Sequence, residues 1–215
     1  MCLAESAAIF AALFSDTSMS ELNQLVSSRL PTIYGEYVIH AYDSGRPEMP
    51  HLALSNVEIN ADDIVNVRIH SECLTGDIFG SVRCDCGEQL AASMKFLEEH
   101  GGVLVYLRQE GRGIGLVNKL KAYNFQDEGM DTIRANHALG FHTDERNYSD
   151  AIAILSQLGV TKVNLLTNNP DKIDAFASTG IEVISRLPLM VEPRPENSHY
   201  LQTKKDALGH LLSHL

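Results

Sequence analysis

No stretch of this 215-residue chain approaches the roughly 18 uninterrupted apolar residues that a membrane-spanning helix requires. No lysine or arginine precedes Arg29, so the apolar run from Leu3 to Phe14, itself broken by Glu5, lacks the basic leader of a secretory signal. Basic residues are scarce throughout. The 17 Lys and Arg stand against 28 Asp and Glu, and the resulting net charge of −11 argues against a general nucleic-acid or anionic-membrane binder. Internal repeats, low-complexity tracts and long linkers are also missing, which leaves one compact unit as the expectation. With 44% apolar and 21% charged residues, the chain can bury a full core. Cysteine is sparse as well, but three of the four fall together at Cys73, Cys84 and Cys86. Thiols grouped in this way suit a metal rather than a disulfide, and point to a reducing cytoplasm.

The order of local signals predicts an α+β, mixed α/β fold in a single compact domain. Residues 1–29 read as an N-terminal extension, weakly helical or mobile, with Met19 as an alternative start; residues 30–215 read as the folded unit. Short strands are expected at Tyr34–Ala41, His51–Val57 and Ile64–Ile69, with Asp43 to Pro47 as a turn, making a largely antiparallel N-terminal sheet. Leu90, Met94 and Leu97 recur at helical spacing before Gly101-Gly102, so a helix over about Gly87–Glu99 follows the cysteines. Val103–Leu107 reads as a buried strand. Helices are expected at Ile114–Tyr123, Thr132–Leu139 and Tyr148–Leu158. The segment from Val163 through Asn169-Pro170 to Arg186 has the pattern of a parallel βαβ unit, whose ligand would lie beyond the strand end at Thr167-Asn168-Asn169.

Three features carry chemistry. Cys73-x10-Cys84-x-Cys86 supplies three ligands for zinc. A closed structural site needs a remote fourth ligand such as His70, whereas an open site keeps a position for water; the open, catalytic site is the stronger reading. Placing Cys84 and Cys86 at a helix N-terminus favours thiolate. Next, Arg108-Gln109-Glu110-Gly111-Arg112-Gly113-Ile114-Gly115 lies between a strand and a helix, in a segment from Val103 to Phe125 holding four cations and one carboxylate. Glycines there allow close approach of backbone to a polyphosphate, and Glu110 has the chemistry to hold magnesium or a base N–H. Finally, Asp144 and Arg146 can project together only from a loop or first turn, because positions i and i+2 do not face each other on a helix. Tyr123 and Lys172 are a candidate proton donor and a candidate phosphate contact.

The segments Arg68-Ile69-His70-Ser71-Glu72-Cys73-Leu74-Thr75-Gly76-Asp77, Arg83-Cys84-Asp85-Cys86-Gly87, Arg108 to Leu116, Gln126-Asp127 with Asp131-Thr132, and Leu165 to Pro170 occur together and in order. On these motifs the chain, from about Leu30 to its C-terminus, closely resembles GTP cyclohydrolase II. The resemblance implies a hydrolase that converts GTP to 2,5-diamino-6-ribosylamino-4(3H)-pyrimidinone 5′-phosphate, formate and pyrophosphate in the first step of riboflavin biosynthesis. It implies zinc on Cys73, Cys84 and Cys86, with its water directed at C8 of guanine, and Mg2+ with the triphosphate. GTP contacts fall by resemblance on Arg68, Ile69, His70, Ser71, Glu72, Gln89, Glu110, Gly111, Arg112, Thr132, Thr167 and Lys172. The proton acceptor matches Asp144, the proposed nucleophile Arg146 and the active-site tyrosine Tyr123. Since a guanidinium stays protonated, electrostatic stabilisation of the phosphoryl transition state is the role expected of Arg146, with Asp144 orienting it. A homodimer is implied. The segment before Leu30 is too short for the dihydroxybutanone phosphate synthase domain fused to this enzyme in many bacteria, so a monofunctional chain is expected. The alternatives are a paralogue that opens a purine or pyrimidine ring without releasing pyrophosphate, and a non-catalytic zinc- or nucleotide-binding regulatory protein.

Overall fold

In the computed structural model, which describes residues 22–212, seven strands form one mixed sheet in the order β1-β2-β3-β5-β4-β6-β7. The strands are β1 (Gln24–Thr32), β2 (Gly35–Tyr42), β3 (His51–Ser55), β4 (Ile64–Ser71), β5 (Val103–Leu107), β6 (Lys162–Leu166) and β7 (Glu182–Leu187). The helices are α1 (Leu74–Asp77), α2 (Cys86–His100), α3 (Leu116–Asp127), α4 (Thr132–Ala138), α5 (Ser149–Gln157), α6 (Pro170–Asp174) and α7 (Ser198–Leu208), and a 3-10 turn covers Glu110–Gly113. The weakly helical leader and the alternative start at Met19 lie outside the described residues.

Expected elements recur within a few residues of their bounds, and three differences matter. First, residues 24–29, read as part of the extension, form most of β1, which pairs antiparallel with β2. Gln24–Thr32 is an exposed edge with no apolar alternation, and Pro31 is tolerated there because an edge strand has a free side. Second, β4 is not an antiparallel member of a front sheet: it runs parallel to both β5 and β6. The reason is the connection, because α2 carries the chain across the sheet between β4 and β5, and a helical crossover returns a strand in parallel. Third, α7 had no counterpart in the sequence reading.

The sheet buries both faces. On one side Val67, Ile69, Val105 and Leu165 pack with Ile152, Ile154 and Leu155 of α5. On the other, Leu104 packs with Met94 and Leu97 of α2 and with Tyr37. Each fully buried Leu or Ile contributes roughly 1.5–3 kcal/mol relative to exposure. Alternation along β4 then decides the site: Val67 and Ile69 enter the first core, while Arg68 and His70 point the opposite way. The parallel strands β4, β5 and β6 end together at Ser71, Leu107 and Leu166, and the cleft opens at this carboxyl edge.

Candidate active site

Cys73 precedes α1, Asp85 is the N-cap of α2 and Cys86 is its first residue. Two glycines allow α1 to meet α2. A Cβ on Gly87 would stand 2.3 Å from the Gly76 carbonyl oxygen, and a Cβ on Gly76 would stand 3.0 Å from Cys84 Sγ and 3.1 Å from Cys73 Sγ. The three Sγ atoms consequently lie within 4.8 Å of one another, with Cys73 and Cys84 3.6 Å apart. Zn–S bonds of roughly 2.3 Å in a tetrahedron separate thiolates by about 3.8 Å, so the cradle fits zinc. Among the described residues no fourth His, Cys, Asp or Glu joins the group. His70, the candidate closing ligand, instead has Nε2 3.1 Å from both oxygens of Asp77.

The three thiols interact, and the one beside Lys119 is the most readily ionised. Hydrogen bonds from Cys84 and Cys86, aided by Lys119 against the effect of burial, push the Cys73 thiol far below its ordinary range. The contact with Cys73 and burial, opposed by Cys86, hold Cys84 up to about 11, and contacts with Cys73 and Cys84 together with burial hold Cys86 well above the usual thiol value. Lys119 Nζ is 3.1 Å from Cys73 Sγ and 2.8 Å from Glu110 Oε1. Burial works against its charge, but the Cys73 thiolate and Glu110 outweigh that and raise the ammonium above the ordinary lysine value.

Glu110 differs from the sequence expectation. Its Oε2 accepts from Leu74 N at 2.6 Å, and its Oε1 accepts from Gly111 N and Lys119. Both oxygens are engaged, so the carboxylate clamps the glycine turn to α1 and α3 instead of offering an open ligand for magnesium. The turn itself is strained: Gly111 and Arg112 both adopt left-handed backbone, Arg112 at φ 60°. For a non-glycine residue this costs about 1–2 kcal/mol, and such outliers concentrate at functional sites. Arg112 O accepts from Glu145 N at 3.0 Å, and Gly113 lies so near Glu145 that a Cβ would approach within 2.9 Å. In this way the turn places the loop that carries Asp144 and Arg146.

That loop precedes α5, as the spacing required. Arg146 Nε donates to Asp144 Oδ1 at 2.9 Å, and its NH2 group donates to Oδ2 at 2.5 Å. Burial raises the Asp144 carboxyl, but the hydrogen bonds and charge of Arg146 outweigh it and hold the group below the usual carboxylate range. Asp144 stands behind Arg146, and Arg146 itself lines the cleft.

The cleft is partly open to solvent and lined by polar and charged groups from several segments, the kind of concave site in which small ligands bind. Arg68, His70, Ser71 and Glu72 of the β4 edge line it, together with Gln89, Glu110, Gly111 and Arg112. Tyr123, Thr132, Thr167 and Lys172 complete the set from four other segments. Of the predicted substrate contacts only Ile69 falls elsewhere: its side chain is fully buried in the core, because it lies on the opposite pleat of β4. Its carbonyl accepts from Lys172 Nζ at 2.7 Å. Arg68 is fastened by Leu166 O and Gln89 Oε1, and burial lowers its guanidinium to about 10. Lys172 is lowered well below the usual lysine range, first by burial and then by Arg68, Arg146 and Lys204. Tyr123 Oη lies 3.3 Å from Thr75 Oγ1, and burial raises its phenol, which keeps the proton in place.

Sequence reading missed Lys119 as a site residue, although Lys119, Tyr123 and Gln126 share the cleft-facing side of α3 at i, i+4 and i+7. It also missed Lys204 and His210, for which no local signal exists. His210 lines the same cleft, and burial followed by the field of Lys204, Arg146, Arg112 and Lys172 lowers it to about 3. An anion is what such a field accepts.

The sequence model of the family described as GTP cyclohydrolase II matches residues 23–188. The chain is 51% identical over 197 residues to the GTP cyclohydrolase-2 of Neisseria meningitidis serogroup A, covering 91% of this chain and 100% of that protein. It is 51% identical over 187 residues to the GTP cyclohydrolase-2 of Teredinibacter turnerae, covering 86% and 94%. The riboflavin biosynthesis protein RibBA of Chlorobium phaeovibrioides is 50% identical over 193 residues, 89% of this chain and 47% of that protein. The chain thus spans about half the length of the curated RibBA relatives it matches. A family match over most of the chain, with a thiol cradle opening into a cation-lined cleft, establishes that the chain belongs to the GTP cyclohydrolase II family.

Proposed function

We propose that this protein is a zinc-dependent GTP cyclohydrolase II, converting GTP to the 2,5-diaminopyrimidine ribonucleotide, formate and pyrophosphate at the head of riboflavin synthesis. The observation that carries the reading is the junction of two subsites in one cleft: three thiol sulfurs within 4.8 Å, and Arg112, Arg146 and Lys172 facing the same space. Cys73, Cys84 and Cys86 hold the zinc, which when bound supplies Lewis-acid activation of water for hydrolysis at C8 of the purine.

The chain's own residues do the rest. Lys119 and the N-terminus of α2 stabilise the thiolates electrostatically. The triphosphate is drawn to Arg112, Arg146 and Lys172, with Thr132 and Thr167 as hydroxyl donors at the cleft wall. Arg146, held as a planar fork by Asp144, stabilises charge developing on the α-phosphate as pyrophosphate leaves. Asp144, kept ionised, orients Arg146 from behind, and the proton-acceptor role that the family resemblance gives it requires the pair to part during the reaction. Tyr123, whose phenol stays protonated, is placed to give a proton. Magnesium accompanies the triphosphate as its charge neutraliser. The protein works in the cytoplasm as a homodimer, a state that sedimentation velocity measures directly.

The decisive experiment incubates zinc-loaded protein with GTP and magnesium and assays formate, pyrophosphate and the diaminopyrimidine together. All three products are expected in equal amounts. Formate without pyrophosphate favours the ring-opening paralogue, and unchanged GTP leaves a binding protein.

A further inference from the structure

Lys204 lies on α7, beyond residue 188 where the family match ends. Its ammonium is buried and stands 2.5 Å from Asp85 Oδ1, a partner 119 positions away in sequence. Asp85 is 2% exposed and sits between Cys84 and Cys86. Its other oxygen accepts from Gln89 Nε2 at 2.6 Å, while Gln89 Oε1 accepts from Arg68 NH2 at 2.7 Å. α7 is held at this corner by the buried Leu201, and Leu211 N beyond it donates to Asn168 O at 2.8 Å, just past the end of β6.

A carboxamide can present either its oxygen or its NH2 group with almost no change of shape, so its neighbours must choose for it. At Gln89 a carboxylate that only accepts lies on one side, and a guanidinium that only donates lies on the other. Arg68 holds the oxygen end, and the Asp85 carboxylate is what holds the NH2 end and with it the tilt of the amide. A buried carboxylate deprived of its cation turns toward other donors, and Gln89 then loses the acceptor that orients it. Gln89 and Lys204 both line the nucleotide cleft.

We propose that Lys204 is a positioning residue for the reaction: it anchors Asp85 and thereby fixes the orientation in which Gln89 presents its amide to the nucleotide. The proposal rests on the GTP reading above. Its effect passes through Gln89, which a double-mutant cycle isolates.

The test is calorimetric titration of GTP into zinc-loaded protein without magnesium. Lys204→Met should weaken GTP binding about tenfold or more, Lys204→Arg should restore it to within about threefold, and zinc content should stay constant. In a Gln89→Leu background, Lys204→Met should have less than about a twofold further effect. Equal losses in both backgrounds, undiminished affinity in Lys204→Met, or loss of zinc would each overturn the proposal. If Lys204→Met does not fold, the charge-free pair Asp85→Leu with Lys204→Met avoids an orphaned charge and must show the same dependence on Gln89. Wild-type protein that neither binds nor turns over GTP removes the functional reading and this proposal with it. Wild-type turnover without coupling removes the proposal alone.

Discussion

At the scale of single residues, the site is a set of charges held in unfavourable surroundings until substrate arrives. Lys172 is the clearest case, since burial and then three neighbouring cations depress its ammonium. A bound triphosphate reverses the sign of that field, so its pKa rises and a proton is taken up. Calorimetry of GTP binding at a series of pH values, in two buffers of different ionisation enthalpy, should show this uptake where the free group is partly neutral, and Lys172→Met should diminish it. An enthalpy independent of buffer in the wild type would refute the linkage. Tyr123 is held in the opposite sense: burial raises its phenol and keeps it a donor. Tyr123→Phe should therefore retain zinc but slow turnover by about 100-fold or more, the lower end for a lost general acid. Unchanged kinetics would remove Tyr123 from the mechanism. Residue identities of this kind were legible in the sequence because the chemistry of each side chain is local. What Glu110 does was not legible, because its two oxygens are satisfied by groups from α1 and α3 that only folding brings near.

At the scale of elements, small contacts decide whether the thiols meet. The close approach of Gly87 to the Gly76 carbonyl leaves no room for a methyl group. Gly87→Ala should destabilise the protein by about 1–3 kcal/mol through overpacking and lower its zinc occupancy. Urea unfolding and metal analysis check the two effects, and an Ala variant with full zinc and wild-type stability would show that α1 and α2 can separate without consequence. The cysteine spacing announced a cluster of thiols at metal-ligand distances, and the apolar spacing of Leu90, Met94 and Leu97 announced α2. Neither revealed why both glycines are needed. Direction of pairing was equally hidden: β4 reads as a short apolar strand whichever neighbour it has, and the α2 crossover is what makes it parallel. The edge strand β1 escaped notice for the converse reason, since an exposed strand need not alternate.

Across the whole molecule, the antiparallel half and the parallel half share one sheet, and His51 joins them on the side away from the thiols. Its Nδ1 accepts from Arg108 N at 3.0 Å and its Nε2 faces Asp150 of α5 at 3.1 Å. His51→Ala should cost about 1–3 kcal/mol by leaving the Arg108 N–H unsatisfied. Denaturant unfolding measures the loss, and a stability within error of wild type would show that another acceptor replaces the imidazole. Sequence alone determined which residue types were present and, through motif order, the family: thiols, arginines, glycines and Tyr123 each carry their chemistry wherever the chain goes. Only the tertiary structure decided that Ile69 faces the core while Arg68 and His70 face the cleft, that Asp144 stands behind Arg146, and that Lys204 reaches the cleft to pair with Asp85, 119 positions away. Those facts depend on strand pleat, loop contact and long-range packing, and none of these has a period or spacing that a local stretch of sequence can display.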